Sequence, residues 1–220
     1  YGRKIVVSAG GTREPIDPVR YLSNRSTGRQ GHALAQAALD AGAREVVLVS
    51  ASEWLPVPVG AEVINVDTAD EMKEAITTVC ADTDLLIMAA AVADFRPASA
   101  AGQKIKKESV SGDLSLQLLP TADILTEIKA SREETGYPRV VVGFAAETEN
   151  LLDNAQAKLE RKGLDIMVAN DITAEDAGFG VETNRVVILD ADGNRYPLDL
   201  ATKAVISEAI INHVADLLGD

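Results

Sequence analysis

The sequence predicts an α/β protein: a Rossmann-like, doubly wound, mostly parallel sheet with an antiparallel extension at its edge. Three observations predict it. Six short apolar runs recur along the chain, several without alternation, as expected of parallel strands covered on both faces. Segments with helical spacing of apolar residues lie between them, and strand alternating with helix is the doubly wound pattern. Two later stretches break that rhythm and read as antiparallel pairs.

In order, IVVSA (5–9), EVVLVS (45–50), VINVD (63–67), DLLIMAAAVA (84–93), RVVVGFAA (139–146) and DIMVAN (165–170) are the expected strands. Helical patterns fill 28–41, 70–80, 121–131, 150–162 and 201–218. Residues 95–120 hold KIKK and the alternating LSLQLLP, and residues 184–198 read NRVVILDADGNRYPL with Asp192-Gly193 as the turn. Both are expected to add antiparallel strands to the sheet edge. At 220 residues and 46% apolar content the chain can bury one sizeable core, so a single domain over 1–220 is expected. The chain opens at Tyr1 rather than Met and enters its first strand almost at once, which suggests a domain cut from a longer polypeptide.

Composition excludes several function classes. A net charge of −13 disfavours nucleic-acid polymers and anionic membranes, both of which need broad positive surface. The lone Cys80 closes the apolar stripe of a helix and reads as a buried structural thiol. His32 and His213 lie far apart and read as polar decoration, giving no metal or triad pattern. No run is long enough for a membrane span, and no signal segment opens the chain, so a cytoplasmic protein is expected.

The informative stretch is SAGGTREPIDPVRYLSNRSTGRQG (8–31), an unusually long connection between the first strand and the first helix. The first thirty residues carry Arg3, Lys4, Arg13, Arg20, Arg25 and Arg29 against Glu14 and Asp17, a local balance of +4 in an acidic chain. Backbone N–H groups at Gly10, Gly11 and Thr12, and near Ser26 to Gly28, can face an anion; a long loop with solvated arginines is the plainer alternative. Neither a G-x-G-x-x-G after the first strand nor a Walker A loop is present, and Ser50-Ala51-Ser52 gives no acidic tip to the second strand, with Glu53 a weak substitute. AAAVADFRP (89–97) ends a strand with Asp94, able to approach a ribose or a phosphate-bound Mg²⁺, and Phe95, able to stack on a base, unless that ring is packed as core. KIKK (Lys104–Lys107), on a Gly/Ala-rich tether, is either a phosphate-closing flap or a solvated charge run. Lys158 and Lys162 share a helix face, and dipole complementation explains that pair as readily as ligand binding.

In this order, SAGGTREPIDPVRYLSNRSTGRQG, AAAVADFRP, KIKK, GFAAET, AKLERKG and AND resemble the phosphopantothenate–cysteine ligase family of coenzyme A biosynthesis, over about residues 4 to 200. The resemblance implies that the carboxylate of 4′-phosphopantothenate is activated with CTP and Mg²⁺ to an acyl-cytidylate, and that L-cysteine then forms the amide, releasing CMP after pyrophosphate. It also implies a homodimer fused, in a bifunctional chain, to a flavin-dependent decarboxylase, with no flavin in this part. CTP is expected over ATP, because AAAVADFRP and KIKK resemble the bacterial pattern of the family, whereas its ATP-using members lie mainly among eukaryotes and some bacteria. A pocket built on the smaller ring's polar edge would reject a purine.

Residue by residue, the resemblance makes Gly10, Gly11, Thr12, Ser26 and Gly28 phosphate-loop donors. Asn24 would hold the acyl-cytidylate and the phosphopantothenate carbonyl, with helix capping or an Asx turn as the alternative. Arg20 would reach phosphopantothenate in the neighbouring protomer's site. Ala93, Asp94 and Phe95 form the nucleotide-contacting strand end, Asp94 also being the metal candidate, and Lys104 is the flap lysine with a catalytic role. By the same resemblance Phe144 would be the pocket aromatic, and Lys158 and Lys162 would hold the triphosphate. Asp123, in TADI, matches an aspartate that the family offers directly after proline, so its position here is offset. The alternative from another class is a nonenzymatic Rossmann-like protein that senses a nucleotide; two separate phosphate sites and a lysine flap argue against it.

Overall fold

The computed structural model describes residues 2–52, 54–109, 112–147, 151–171, 178 and 180–219. Strand β1 (Lys4–Ala9) leads into β2 (Arg13–Pro15), β3 (Tyr21–Ser23) and helix α1 (Arg29–Asp40). Then come β4 (Glu45–Ser50), β5 (Glu62–Asn65), α2 (Ala69–Val79), β6 (Leu85–Met88), β7 (Phe95–Pro97), β8 (Leu118–Pro120) and α3 (Ile124–Thr135). The chain continues through β9 (Val140–Glu147), α4 (Leu151–Lys162), β10 (Ile166–Asp171), β11 (Thr183–Asp190), β12 (Arg195–Thr202) and α5 (Lys203–Leu218).

Eight strands form one sheet in the order β12-β11-β10-β9-β6-β1-β4-β5. Strands β5, β4, β1, β6, β9 and β10 run parallel, while β11 and β12 add antiparallel to the β10 edge. That edge is the extension expected from 184–198, with its turn at Asp190–Asn194. The other expectation is corrected. Residues 95–97 and 118–120 pair with each other in a separate two-stranded ribbon, and the sheet strand before them stops at Met88 although the apolar run continues to Ala93. A second small ribbon, β2 with β3, occupies the long first connection.

The strand pleat divides the core in two. Ile5, Val7 and Ala9 face α1 and α5 through Leu34, Ala38, Ile206 and Ile210, whereas Val6 faces α2, α3 and α4 through Met72, Ile76, Ile128 and Leu159. Helix α1 comes unusually close to β1: a Cβ on Gly31 would stand 2.5 Å from the Ala9 Cβ and 2.8 Å from the Ser8 carbonyl oxygen, so only glycine fits there. Cys80 is buried at the end of α2, and burial pushes its thiol up to about 12, as suits an inert core group. No helix among the described residues is long and apolar enough to cross a membrane.

His32 departs from the sequence expectation. It is buried on α1, its Nδ1 donates to the Pro56 carbonyl (3.2 Å), and its Nε2 lies 3.3 Å from Ser50 Oγ. Burial pushes its pKa below the ordinary value, with the Pro56 carbonyl opposing. An unfolded histidine takes up its proton near pH 6.5, about the ordinary value, and the folded one only lower, so the unfolded state binds more protons as pH falls through that point. Stability supplied by the neutral ring is present above that pH and lost below it. The Tm advantage of the wild type over His32→Gln should therefore shrink between pH 8 and pH 5.5 in thermal melts; a constant difference would contradict the buried neutral ring.

Candidate nucleotide and carboxylate site

Strand β1 sits where the winding of the sheet reverses, with β4 and β5 on one side and β6, β9 and β10 on the other. Connections leave such a point in opposite directions and open a crevice at the carboxyl ends of the strands. A cavity of about 820 Å³ occupies that place, lined by residues 24–30, 88–94, 121–125 and 144–146 and by Lys158, Arg161 and Lys162, with contributions from Asn170, Asn184 and Lys203. This volume lies within the usual range for small-molecule sites.

The floor is segment 89–93, held by the connection after β1. Ala91 N–H donates to the Gly10 carbonyl (2.8 Å), Thr12 N–H donates to the Ala91 carbonyl (3.3 Å), and Ala93 N–H donates to Thr12 Oγ1 (2.9 Å). Gly11 bridges Ala91, and Ala90 N–H donates to Ser8 Oγ (3.1 Å). Gly10, Gly11 and Thr12 therefore brace the site from outside its lining. For Thr12, which is fully buried with both its N–H and its hydroxyl engaged, this corrects the reading as a phosphate donor.

Ser26 and Gly28 do line the cavity, at the start of α1. Helices α2, α3 and α5 are capped by the side chains of Thr68, Asp123 and Thr202, but α1 has Gly28 at its N-cap and no side-chain cap. Its first N–H groups and the positive end of its dipole are thus turned to the cavity. Gly28 adopts φ +85°, and a Cβ there would lie 2.9 Å from Ser52 Cβ and 3.3 Å from Gly10 Cα.

Asn24 lines the cavity and caps no helix. Its Nδ2 donates to the carbonyls of Ala91 (3.2 Å) and Val92 (3.3 Å), which fastens the loop to the floor. Ala93 is buried in the lining, its carbonyl accepting from Thr121 Oγ1 (2.6 Å), and Asp94 is exposed beside it. Phe95 is corrected: it belongs to the β7–β8 ribbon, is 55% exposed, and is outside the lining.

On the opposite wall, Phe144 is half-buried and its carbonyl accepts from Lys158 Nζ (3.3 Å). Lys162 pairs with Asp123 and donates to Thr126 Oγ1 (3.0 Å). Asp123 also accepts from Thr126 N–H (3.2 Å) at the head of α3, so the offset aspartate stands in the lining. Burial raises its pKa, but Lys162 and the Thr126 N–H outweigh that and hold the carboxyl below its ordinary range.

Neither Arg20 nor Lys104 lines the cavity. Arg20 is held by Asp17 and by the Ile105 carbonyl of its own chain, and Lys104 is exposed next to that contact. Sequence reasoning missed Arg161, although residues 158, 161 and 162 share one helix face at i, i+3 and i+4. It also missed Arg25, Arg29 and Lys203 as lining cations. Arg29 is tied to Glu182 (3.1 Å) and to the Gly180 carbonyl (2.9 Å). Lys203 is buried, donates to the carbonyls of Gly178 (3.0 Å) and Val181, and has its pKa pushed down by burial. Asn170, Asn184 and Gln30 form a buried amide chain beside it, ending on Ser207 Oγ. Six cations against the two carboxylates Asp94 and Asp123 make this the local basic pocket of an acidic chain. Glu53 and the start of the expected helix at 150 fall outside the described residues.

Gly28→Ala should cost roughly 1–2 kcal/mol for the left-handed backbone alone, with the Ser52 contact added. At about 2–4 °C per kcal/mol this is a Tm loss of at least roughly 2–8 °C. Gly102→Ala, where a Cβ meets nothing within 4 Å, serves as control. Equal melting temperatures for the two variants would contradict the close packing of Gly28 on Ser52.

Comparison with known proteins shows the family and the fold. The chain matches the family described as DNA/pantothenate metabolism flavoprotein C-terminal domain over residues 1–218. It is 44% identical over 217 residues to the coenzyme A biosynthesis bifunctional protein CoaBC of Bacillus subtilis (strain 168), covering 98% of this chain and 52% of that one. To the CoaBC protein of Vibrio vulnificus (strain CMCP6) it is 42% identical over 217 residues, covering 99% of this chain and 53% of that one. A crystal structure of the C-terminal domain of CoaBC superposes with a TM-score of 0.80 at 34% identity, covering 99% of this chain and 98% of that chain. The chain spans about half the length of the curated relatives it matches. It belongs to the DNA/pantothenate metabolism flavoprotein C-terminal domain family.

Proposed function

We propose that this chain is a phosphopantothenate–cysteine ligase of coenzyme A biosynthesis, working in the cytoplasm as the C-terminal domain of a longer bifunctional chain whose other part is a flavin-dependent decarboxylase. The observation that carries the reading is the cationic cavity at the sheet's switch point, which joins the uncapped start of α1 to Lys158, Arg161 and Lys162 across a floor made of 89–93. A carboxylate is a poor electrophile until one of its oxygens belongs to a good leaving group. Its attack on the α-phosphorus of CTP expels pyrophosphate, and the amine of L-cysteine then attacks the acyl carbon and expels CMP. Anions crowd that site, and fixed N–H groups and cations aimed at them supply the stabilisation.

In this reading the α1 start, Lys158 and Lys162 hold the triphosphate, Phe144 and the backbone of 89–93 bound the base and ribose, and Asn24 fixes the loop nearest the acyl group. No group of three or more metal-type ligands occurs among the described residues. A Mg²⁺ ion bound through one carboxylate and the nucleotide phosphates needs no such group, and Asp94 at the rim has the right oxygen chemistry. The ion would draw charge from the phosphates.

A homodimer is part of the proposal. The two small ribbons, in contact through β2 and β7, expose Val19, Tyr21 and Phe95 at 55–60% and Leu118 at 43%, an apolar face of the kind that marks association sites. Lys104 and Arg20 stand on this same unit rather than in the cavity, so we assign Lys104 to the partner's cavity. Mixing severely impaired Lys104→Gln with severely impaired Lys158→Gln should then restore up to roughly a quarter of wild-type activity, from heterodimers with one intact composite site. No recovery after verified subunit exchange would place the flap in its own protomer's site.

The reaction itself is tested by pyrophosphate release with phosphopantothenate and CTP before cysteine is added, and amide formation afterwards. CTP should exceed ATP in kcat/KM by at least about tenfold, since a purine leaves the pocket's polar groups unpaired. Nucleotide binding without pyrophosphate release would favour the nucleotide-sensing alternative.

A further inference from the structure

Asp17, between β2 and β3, is a charged residue at 4% exposure. Its Oδ1 accepts from the N–H groups of Val19 and Arg20 (both 2.9 Å). Its Oδ2 accepts from Arg20 Nε (3.0 Å), Arg20 Nη2 (2.5 Å) and the Ile105 N–H (3.1 Å). Arg20 Nη2 also donates to the Ile105 carbonyl (2.9 Å). Ile105 is therefore gripped on both of its backbone groups, by an acceptor and a donor that are themselves paired. On the other side of Lys104, Ala101 N–H donates to the Ile16 carbonyl (2.9 Å). Lys104 is exposed, yet it stands on a short span fastened at 101 and 105.

A buried carboxylate is tolerable only when donors replace its water, and five do so here. The Arg20 guanidinium, helped by three backbone N–H groups, holds the Asp17 carboxyl well below the usual range, so it stays ionised at any working pH. Of those donors only the Ile105 N–H comes from a distant part of the chain. The arrangement spends a buried charge on fixing one residue of an otherwise irregular segment.

We propose that Asp17 and Arg20 form a clamp on the backbone of Ile105 that sets where Lys104 stands, so that both are positioning residues for that lysine. In this role Arg20 acts through the flap, by its bonds to Asp17 and to the Ile105 carbonyl. The inference rests on the assignment of Lys104 to the ligase chemistry, and its test separates the two.

Amide hydrogen exchange at Ile105 reads the clamp without any activity, in the 220-residue chain. Asp17→Asn should speed that exchange by at least about tenfold, because a neutral amide cannot serve the guanidinium and the Ile105 N–H together. Arg20→Lys keeps the charge but loses the forked contact, and should give a smaller increase; it also carries the test if Asp17→Asn does not fold. Unchanged exchange in a folded variant overturns the clamp. Pyrophosphate release should fall about 10- to 100-fold in Asp17→Asn with the CTP Kd changed less than about twofold. In a Lys104→Gln background the same substitution should cost less than about a further twofold, because its effect passes through the missing lysine. Full multiplicative losses would overturn the positioning role. Wild-type turnover in Lys104→Gln alone would overturn the assignment of Lys104 to chemistry, and Ile105 exchange would still decide the clamp.

Discussion

The hydrogen bonds between the connection after β1 and segment 89–93 are the constraint on which the rest of the site depends. Strand β6 ends at Met88, so the backbone of 89–93 has no strand partner and must find its bonds elsewhere. Gly10, Thr12, Ser8 and Asn24 supply them, and Thr121 closes the far end. The result is a fixed shelf beyond the sheet, with β1 at the reversal of strand order beneath it. Close contact between Gly28 and Gly10 then brings the start of α1 to the shelf's edge. A glycine-rich connection is thus required less for touching phosphate than for letting three backbones meet.

Charge is distributed in the same economical way. The chain carries 34 acidic and 21 basic residues, and its lining concentrates six of the basic ones. They do different things. Lys203 and Arg29 are turned to backbone carbonyls and to Glu182, and fasten Gly178 and residues 180–183 to α1 and α5. Lys162 is balanced by Asp123, which also heads α3, so a ligand phosphate would compete with a carboxylate for it rather than meet a bare ammonium group. Such pairing keeps several like charges close together without ligand and leaves the dipole of α1 as a fixed attraction.

Much of this was legible in the sequence, because non-alternating apolar runs and helical spacing are strong signals in a doubly wound sheet. IVVSA, EVVLVS and RVVVGFAA became strands close to their expected bounds, and Asp192-Gly193 marked its hairpin. AAAVADFRP was harder: apolar composition continues past Met88, so nothing in it tells where pairing stops and the shelf begins. Phe95 was consequently expected at the cavity when it lies on a ribbon outside it. Thr12 looked like a phosphate donor because hydroxyls beside glycines often are, and its partner Ala93 N–H is 81 residues away. Lys203 and Asn184 belong to the lining only because β11 and β12 return α5 alongside α1, a long-range fact that no local pattern carries.

A crystal structure of the chain with CTP tests the central claim most directly, since it locates the nucleotide without depending on turnover. The triphosphate should lie between the N–H groups at the start of α1 and the ammonium groups of Lys158 and Lys162, within about 3 Å of each, as charge-assisted hydrogen bonds require. The base should rest against 89–93 and Phe144. Nucleotide density on the ribbon face or at the β12 edge, with the switch-point cavity unchanged, would contradict it.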